Sequence, residues 1–300
     1  MATKDNRHRF LIEQAQVRGV LVRLGDTWRE VLERAEYPSN VQQVLGHAMV
    51  AIPILASTIK FAGKLTLQAR GSGPVSLLVV QGSADGGQRG LARWGGEPPE
   101  SPLRDVFGDA TLSIQIEGGK TGEVYQGIVE VTGEHLQDAL AGYFENSEQL
   151  PTRLWLMCDG EQAAGLMLQQ LPSEDTNVTD TAKEEAKRDH WVRVGLLADT
   201  IRQDELFDQD PVKLIEQVFA DDDVRVFDPE PLRFECACSR ERGAGLIEGL
   251  GSDEAIDILK EQGEIEIVCE FCNSKNTFDS IDVEAIFRGD GSFDANKVMH

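Results

Sequence analysis

Cys236-Ala237-Cys238 and, thirty residues further on, Cys269-Glu270-Phe271-Cys272 hold four of the five cysteines of this 300-residue chain. A CxC pair and a CxxC pair can supply four thiolates to one tetrahedral ion. Zinc suits that donor set, because it accepts soft ligands, has no redox change of its own and needs no open position. The CxC is tighter than the usual CxxC and the gap is longer than in a common zinc ribbon. An iron–sulfur cluster is the other four-thiolate reading. A region of about seventy residues buries little surface, so an ion contributing on the order of 10–16 kcal/mol would decide whether it folds. The same thiolates are oxidisable. A two-residue spacer closes a disulfide readily, whereas extended i, i+2 Cα atoms lie roughly 6.5–7 Å apart, at the edge of the permitted range. Cys269–Cys272 is therefore expected to oxidise ahead of Cys236–Cys238. A zinc that only holds a scaffold and never meets an oxidant fits the spacing as well.

Upstream of the cysteines, residues 173–230 are acidic and helical. Glu174 to Glu230 carries 17 acidic against 7 basic residues. Thr181 and Glu184 form a capping box. An amphipathic helix is expected to follow, with Trp191, Val194, Leu197, Ile201 and Leu206 as its stripe. Asp210-Pro211 opens another, carrying Leu214, Val218 and Phe219, and Asp221-Asp222-Asp223 ends it in solvent. Helices this short and charged are marginal alone. The segment reads as an interdomain linker that docks its apolar stripe on the body.

Residues 1–172 read as an antiparallel-rich α+β domain. Strands are expected at Val17–Leu24, Leu65–Arg70, Val75–Gln81, Thr111–Glu117, Val124–Val131, Arg153–Met157 and Ala163–Gln169. Helices are expected from Asp26 to about Ala35, from a Ser39 cap through Val41, Val44, Leu45 and Met49, and from Glu134 to Leu150. The organisation is then 1–172 core, 173–230 linker and 231–300 small zinc-binding domain.

The charge balance excludes some partners. With 52 acidic and 29 basic residues the net charge is −23, and residues 231–300 hold 15 acidic side chains against seven Lys and Arg plus His300. A phosphate backbone needs the opposite sign, which speaks against a zinc-ribbon nucleic-acid binder. A thiol–disulfide oxidoreductase would want its CxxC opening a helix; here it follows a strand-like Ile265–Val268. The longest apolar run, Ala48 to Ala56, is too short to span a bilayer and contains Pro53, and the charged N-terminus has no apolar leader. The expectation is a cytoplasmic protein without a membrane or nucleic-acid partner. No catalytic set is recognisable. Cys158 reads as a packed thiol, and His8, His47, His135, His190 and His300 as packing or surface residues. Gly118-Gly119-Lys120-Thr121 lacks the earlier glycine of a phosphate loop and reads as a hairpin turn.

Longer motifs go beyond spacing. Phe234-Glu235-Cys236-Ala237-Cys238-Ser239-Arg240-Glu241-Arg242 and Glu264-Ile265-Glu266-Ile267-Val268-Cys269-Glu270-Phe271-Cys272-Asn273, with Phe278-Asp279, resemble the two zinc half-sites of the redox-regulated 33 kDa heat-shock chaperonin family. In the body, Gln14 to Leu24, Tyr37-Pro38, Ile59-Lys60-Phe61 with Gly63, Thr66-Leu67-Gln68, Tyr125 to Val129 and Tyr143 to Thr152 are similar to family sequence. Asn276 departs from the pattern, which leads one to expect an aromatic there. The resemblance implies an ATP-independent holdase, not an enzyme, that binds unfolding proteins under heat and oxidative stress. It implies a reduced, inactive form holding one Zn2+ per chain on Cys236, Cys238, Cys269 and Cys272. Oxidation to the disulfides Cys236–Cys238 and Cys269–Cys272 would release the ion, unfold switch and linker, and yield an active form that tends to dimerise. The linker stripe, Trp191, Leu197, Ile201, Leu214 and Phe219, is the expected client-binding surface, joined by the patch it covered.

Overall fold

A computed structural model of the chain describes residues 5–59, 61, 63–99, 102–118, 124–131, 133–172 and 181–288, the side chains of 181–184 aside. Contacts divide it into two compact units, Met1–Glu235 and Cys236–His300. The Thr181–Glu184 side chains, Gly119 to Thr121 and His300 lie outside the described residues.

In the first unit, strand β1 (Asn6–Ile12) turns back through Gln16, which adopts positive φ, into β2 (Val17–Leu24). Helix α1 (Asp26–Leu32) is capped from a distance. The Asp5 carboxylate accepts from the backbone amides of Gly25, Asp26 and Thr27, so the expected local cap at Asp26-Thr27 is replaced by a long-range one. Helix α2 (Ser39–Thr58) follows Pro38, and Ser39 makes no side-chain cap. Strands β3 (Lys64–Gly71), β4 (Val75–Ser83) and β5 (Gly87–Trp94) form a meander. Helix α3 (Leu103–Phe107) leads to β6 (Ala110–Glu117) and β7 (Val124–Val129). The expected helix from Glu134 to Leu150 is shorter: α4 spans Leu136–Tyr143, loosens into one π-helical turn (Phe144–Glu148) and stops at Gln149 in the left-handed region. Strands β8 (Thr152–Cys158) and β9 (Ala163–Gln170) close the core.

The acidic segment forms three helices, α5 (Thr181–Ala198), α6 (Gln203–Asp208) and α7 (Pro211–Val218). The short strands β10 (Val224–Val226), β11 (Glu230–Pro231) and β12 (Arg233–Phe234) follow. The expected single stripe from Trp191 to Leu206 is therefore broken. Ile201 follows the end of α5, Leu206 belongs to α6, and Val192 and Leu196 of α5 are exposed. Asp210 does cap α7, accepting from the Lys213 amide, with Pro211 in the first turn.

Two antiparallel-rich sheets sandwich α2. One runs β10-β1-β2-β9-β8, with β11 also on β1; the other runs β12-β5-β4-β3-β6-β7. Leu45, Met49, Ile52 and Leu55 fill the space between them. By length and hydropathy α2 could cross a bilayer, but 72% of its apolar window is buried within this core. Pro53 removes one helix donor, and its carbonyl accepts from Arg7 Nη1 at 2.8 Å.

The first sheet is apolar on both faces. Val20, Val22 and Met167 face α2. Phe10, Ile12, Leu21, Leu166 and Leu168 face the other way, against α5–α7. This is why β2 and β9 read as near-continuous apolar runs rather than alternating ones. The helices bring Val194, Leu206, Phe207, Leu214, Ile215 and Phe219 to that face, all buried, with Trp191, Leu197 and Ile201 half-buried beside them. The rings of Phe10 and Phe219 lie 5.8 Å apart, and Phe10 sits over Gly19, where any Cβ would strike the ring. Polar contacts fasten the rim. Trp155 Nε1 donates to Asp199 at 2.9 Å, Arg23 donates to the Glu205 carbonyl at 3.2 Å, and Arg153 lies over Trp191. Asp222, expected in solvent, is buried and paired with Arg193.

Truncating Phe219 to Ala removes the ring that closes this second core and is expected to cost about 3–5 kcal/mol. Amide exchange should then quicken in α5–α7 while α2 stays protected. Acid acts on the same unit. Burial, then the neighbouring His135, lowers the pKa of His47 to about 4, and His8 is lowered by burial and then by Arg23, against Asp210. Both shifts favour the neutral ring in the folded state, whereas the unfolded chain takes up protons below about 6.5. For His47 the stabilisation is full above about 6.5 and is lost as pH falls toward 4, by about 3 kcal/mol. Urea midpoints between those pH values should show this slope, and His47→Asn should flatten it.

Candidate metal centre

The second unit is built around its cysteines. Cys236 and Cys238 lie between β12 and helix α8 (Arg240–Leu250), whose N-cap Ser239 accepts from the Arg242 amide. Helix α9 (Ser252–Gln262) leads to β13 (Ile265–Val268), which pairs with β14 (Lys275–Phe278) before helix α10 (Ser280–Arg288). Cys269 and Cys272 occupy the β13–β14 turn. There the Cys269 amide donates to the Ser274 carbonyl at 2.9 Å, and the Asn273 amide to the Cys269 carbonyl at 2.8 Å. Asn273 takes positive φ, a conformation Asn adopts more readily than most residues.

All four Sγ atoms lie within 4.8 Å of one another. Two close approaches run across the pairs, Cys236–Cys269 at 3.6 Å and Cys238–Cys272 at 3.2 Å. Thiolates at about 2.3 Å from a tetrahedral zinc stand about 3.8 Å apart. The donor set and its spread thus fit a single ion. Ser274 Oγ lies 3.2 Å from both Cys238 and Cys272.

These surroundings split the thiols. Burial pushes Cys272 up, but the Ser274 hydroxyl and amide and the Cys238 and Cys236 thiols outweigh it and bring it down to about 6. Cys238 is pushed up to about 12, by burial first and then by the Cys272 and Cys236 thiols, against Ser274. Cys269 is also raised, by burial first, although the Cys272 and Phe271 amides favour its thiolate. Metal binding would require all four to be deprotonated, so affinity should fall with acid.

Cys158, in contrast, packs against Gly46 and points at the Gln42 and Gln43 carbonyls, 3.7 and 3.5 Å away. Burial, then Asp159, pushes it up to about 12, as for an inert packed thiol. Asn276 lies buried in β14, opposite Ile267.

Sequence reading missed the residues that clamp the module. Arg240 is buried. It donates to the Thr277 carbonyl at 2.6 Å and to Asp282 at 2.7 Å, and lies 4.4 Å from the Phe278 ring centroid. Asp282 also accepts from the Asp279 amide at 3.1 Å. The pair joins the residue two after Cys238 to β14 and α10. An arginine beside a cysteine loop signals little alone, since its partner is 42 residues away. Ser274, two residues after Cys272, carries no spacing signal either.

A four-thiol site able to hold an ion, carried on a small unit that follows an α+β sandwich in the chain, defines the class: a mixed α+β body with a candidate metal module. A profile of the Hsp33 protein family matches residues 5–279. The 33 kDa chaperonin of Nitrosococcus oceani is 45% identical over 96% of both chains. That of Methylobacillus flagellatus is 39% identical over the full length of both. The crystal structure of the Thermotoga maritima 33 kDa chaperonin superposes with a TM-score of 0.77, at 20% identity, over 96% of this chain and 99% of that one. The chain belongs to the Hsp33 family, the 33 kDa chaperonins.

Replacing Asp282 by Ala strands a buried guanidinium and should cost the second unit about 3–5 kcal/mol. The melting of that unit, followed with zinc present, should drop while the first unit's transition stays in place. Pairing Arg240→Met with Asp282→Leu should restore much of the loss.

Proposed function

We propose that the protein is a redox-gated, ATP-independent holdase of the bacterial cytoplasm rather than an enzyme, with 1–172 as its core, 173–230 as its linker and 231–300 as its switch. The observation that carries this is the convergence of four oxidisable thiols in a module with a core of only a few apolar side chains, Ile247, Ile265, Phe278 and Val283 chief among them. In the reduced form Cys236, Cys238, Cys269 and Cys272 would hold one zinc ion, which when bound supplies cross-linking and charge neutralisation that the small core lacks.

An oxidant such as peroxide takes two electrons and two protons from each pair of thiols, forming the sulfur–sulfur bond and two waters. Once the module loosens, cross-pair partners are more than thirty residues apart along the chain. Cys269 and Cys272, and Cys236 and Cys238, stay close because their loops are short. The pairing Cys236–Cys238 and Cys269–Cys272 follows, with the CxxC first. Without its donors the ion is no longer held, and the module unfolds. In this reading unfolding of the module is coupled to undocking of α5–α7, of which α6 and α7 are too short, and α5 too polar, to persist undocked. Trp191, Leu197, Ile201, Leu214 and Phe219, with the sheet face beneath them, become the apolar surface for unfolding clients. That newly bared surface also favours a dimer of the activated form. The high net negative charge keeps the opened chain soluble.

Light scattering from a heat-unfolding test enzyme checks this. The zinc form should leave aggregation unchanged, and the form treated with peroxide at elevated temperature should suppress it as a metallochromic dye registers zinc release. Equal suppression by both forms would reduce the cysteines to a scaffold. Suppression by neither would overturn the reading.

A further inference from the structure

Strand β7, Val124-Tyr125-Gln126-Gly127-Ile128-Val129, is the last strand of the second sheet, and among the described residues only β6 pairs with it. Its outer edge therefore presents a row of backbone donors and acceptors to solvent. Edge strands in soluble proteins are commonly guarded by lysine, proline, a bulge or a covering element. β7 has no charged residue and no proline, and its register with β6 runs unbroken from Glu117–Val124 to Leu112–Val129. Val124, Tyr125 and Ile128 are 64, 72 and 70% exposed, which places them among the most exposed large apolar side chains of the molecule. The strand is backed by Tyr143, which packs so closely over Gly127 that a Cβ there would lie about 3.0 Å from its ring.

The surroundings are acidic. Glu117 pairs in register with Val124 at one end of the strand, and Glu130 follows it at the other. Glu148 and Tyr125 each lie close enough to Tyr143 to help raise its pKa, after burial. Glu130 also lines an open groove together with Asp105, Asp109 and Arg104. A second copy of this chain would bring the same acids face to face, in a molecule of net charge −23. An extended backbone satisfies the open edge where a helix cannot, apolar side chains suit Val124 and Ile128, and lysine or arginine suits the acids at both ends.

We propose that β7 is a docking strand that is open before any oxidation, and that it takes up an extended, apolar, basic-flanked stretch of another polypeptide as a further strand of the sheet. This rests on the holdase reading and deepens it. It assigns first contact to a strand distinct from the sheet face under α5–α7, and it names the chemistry of the segment preferred. The switch would then add the larger surface under α5–α7 to a contact already made.

Three fluorescent peptides test it by anisotropy against the full-length protein, reduced with zinc and oxidised. One has an alternating Val/Thr core with lysine flanks, the second the same core with glutamate flanks, and the third is the lysine-flanked peptide with its core amides N-methylated. The first should bind both forms with affinities within about twofold, the second at least about tenfold more weakly at low salt, and the third not measurably. The double variant Val124→Lys/Ile128→Lys changes only exposed side chains and should weaken the first peptide by about tenfold or more. Unchanged affinity for that variant or for the N-methylated peptide would overturn the proposal. So would a reduced protein that sediments as a dimer and is dissociated by Ile128→Lys, which would make the edge a self-contact. Aggregation suppression by the oxidised protein is run alongside. If it stands while the peptides fail, the edge proposal alone falls; if it fails, the holdase reading falls whatever the peptides do.

Discussion

The seating of three short helices on the second face of one sheet is the constraint on which the rest of the first unit depends. β1, β2 and β9 carry large apolar side chains on both faces, and an antiparallel sheet of that kind cannot stand half in water. α5–α7 supply the cover and depend on it in turn, because α6 and α7 are short and α5, though 18 residues long, is largely polar. Each side therefore hides the other's apolar surface. Phe10, lying flat over Gly19 and against Phe219, is where the two are joined most closely.

The second unit solves a different problem. Its core is a handful of side chains, too little to hold some fifty ordered residues by burial alone. Two devices make up the difference. The four sulfurs converge at the spacing a single ion would impose, and the buried Arg240–Asp282 pair ties the loop after Cys238 to the last helix. Both are all-or-none. A buried ion pair that loses one member, or a donor set that loses its thiolates, leaves a penalty rather than a smaller gain. A module built that way yields abruptly, whereas a larger apolar core would loosen by degrees.

Much of the fold was legible because its periodicities are clean. Val17–Leu24 and Ile265–Val268 coincide with strands residue for residue, and most other expected strands fall within a residue or two of the observed ones. β1 and β5 were not legible. Asn6–Ile12 opens on the polar run Asn-Arg-His-Arg, of which Arg7 and His8 turn out to be buried, and Gly87–Trp94 reads as a glycine- and arginine-rich loop. Both become strands because neighbours pair with them along their whole length. The helix expected to run on to Leu150 loosens at Phe144, since the chain must turn there to enter β8. The acid run at Asp221–Asp223 looked solvated, yet Arg193, a full helix away in sequence, draws Asp222 inside.

The sequence by itself determined the chemistry of the site, the division of the chain into a mixed body and a cysteine module, and the sign of the surface. Residue type, short-range spacing and net charge carry that information without any long-range contact. Only the tertiary structure decided that the four thiols meet, which arginine clamps their module, which face the acidic helices cover, and that β7, among the described residues, pairs with β6 alone. Those outcomes depend on which residues far apart in the chain come within a few ångströms, and spacing along a sequence does not encode that distance.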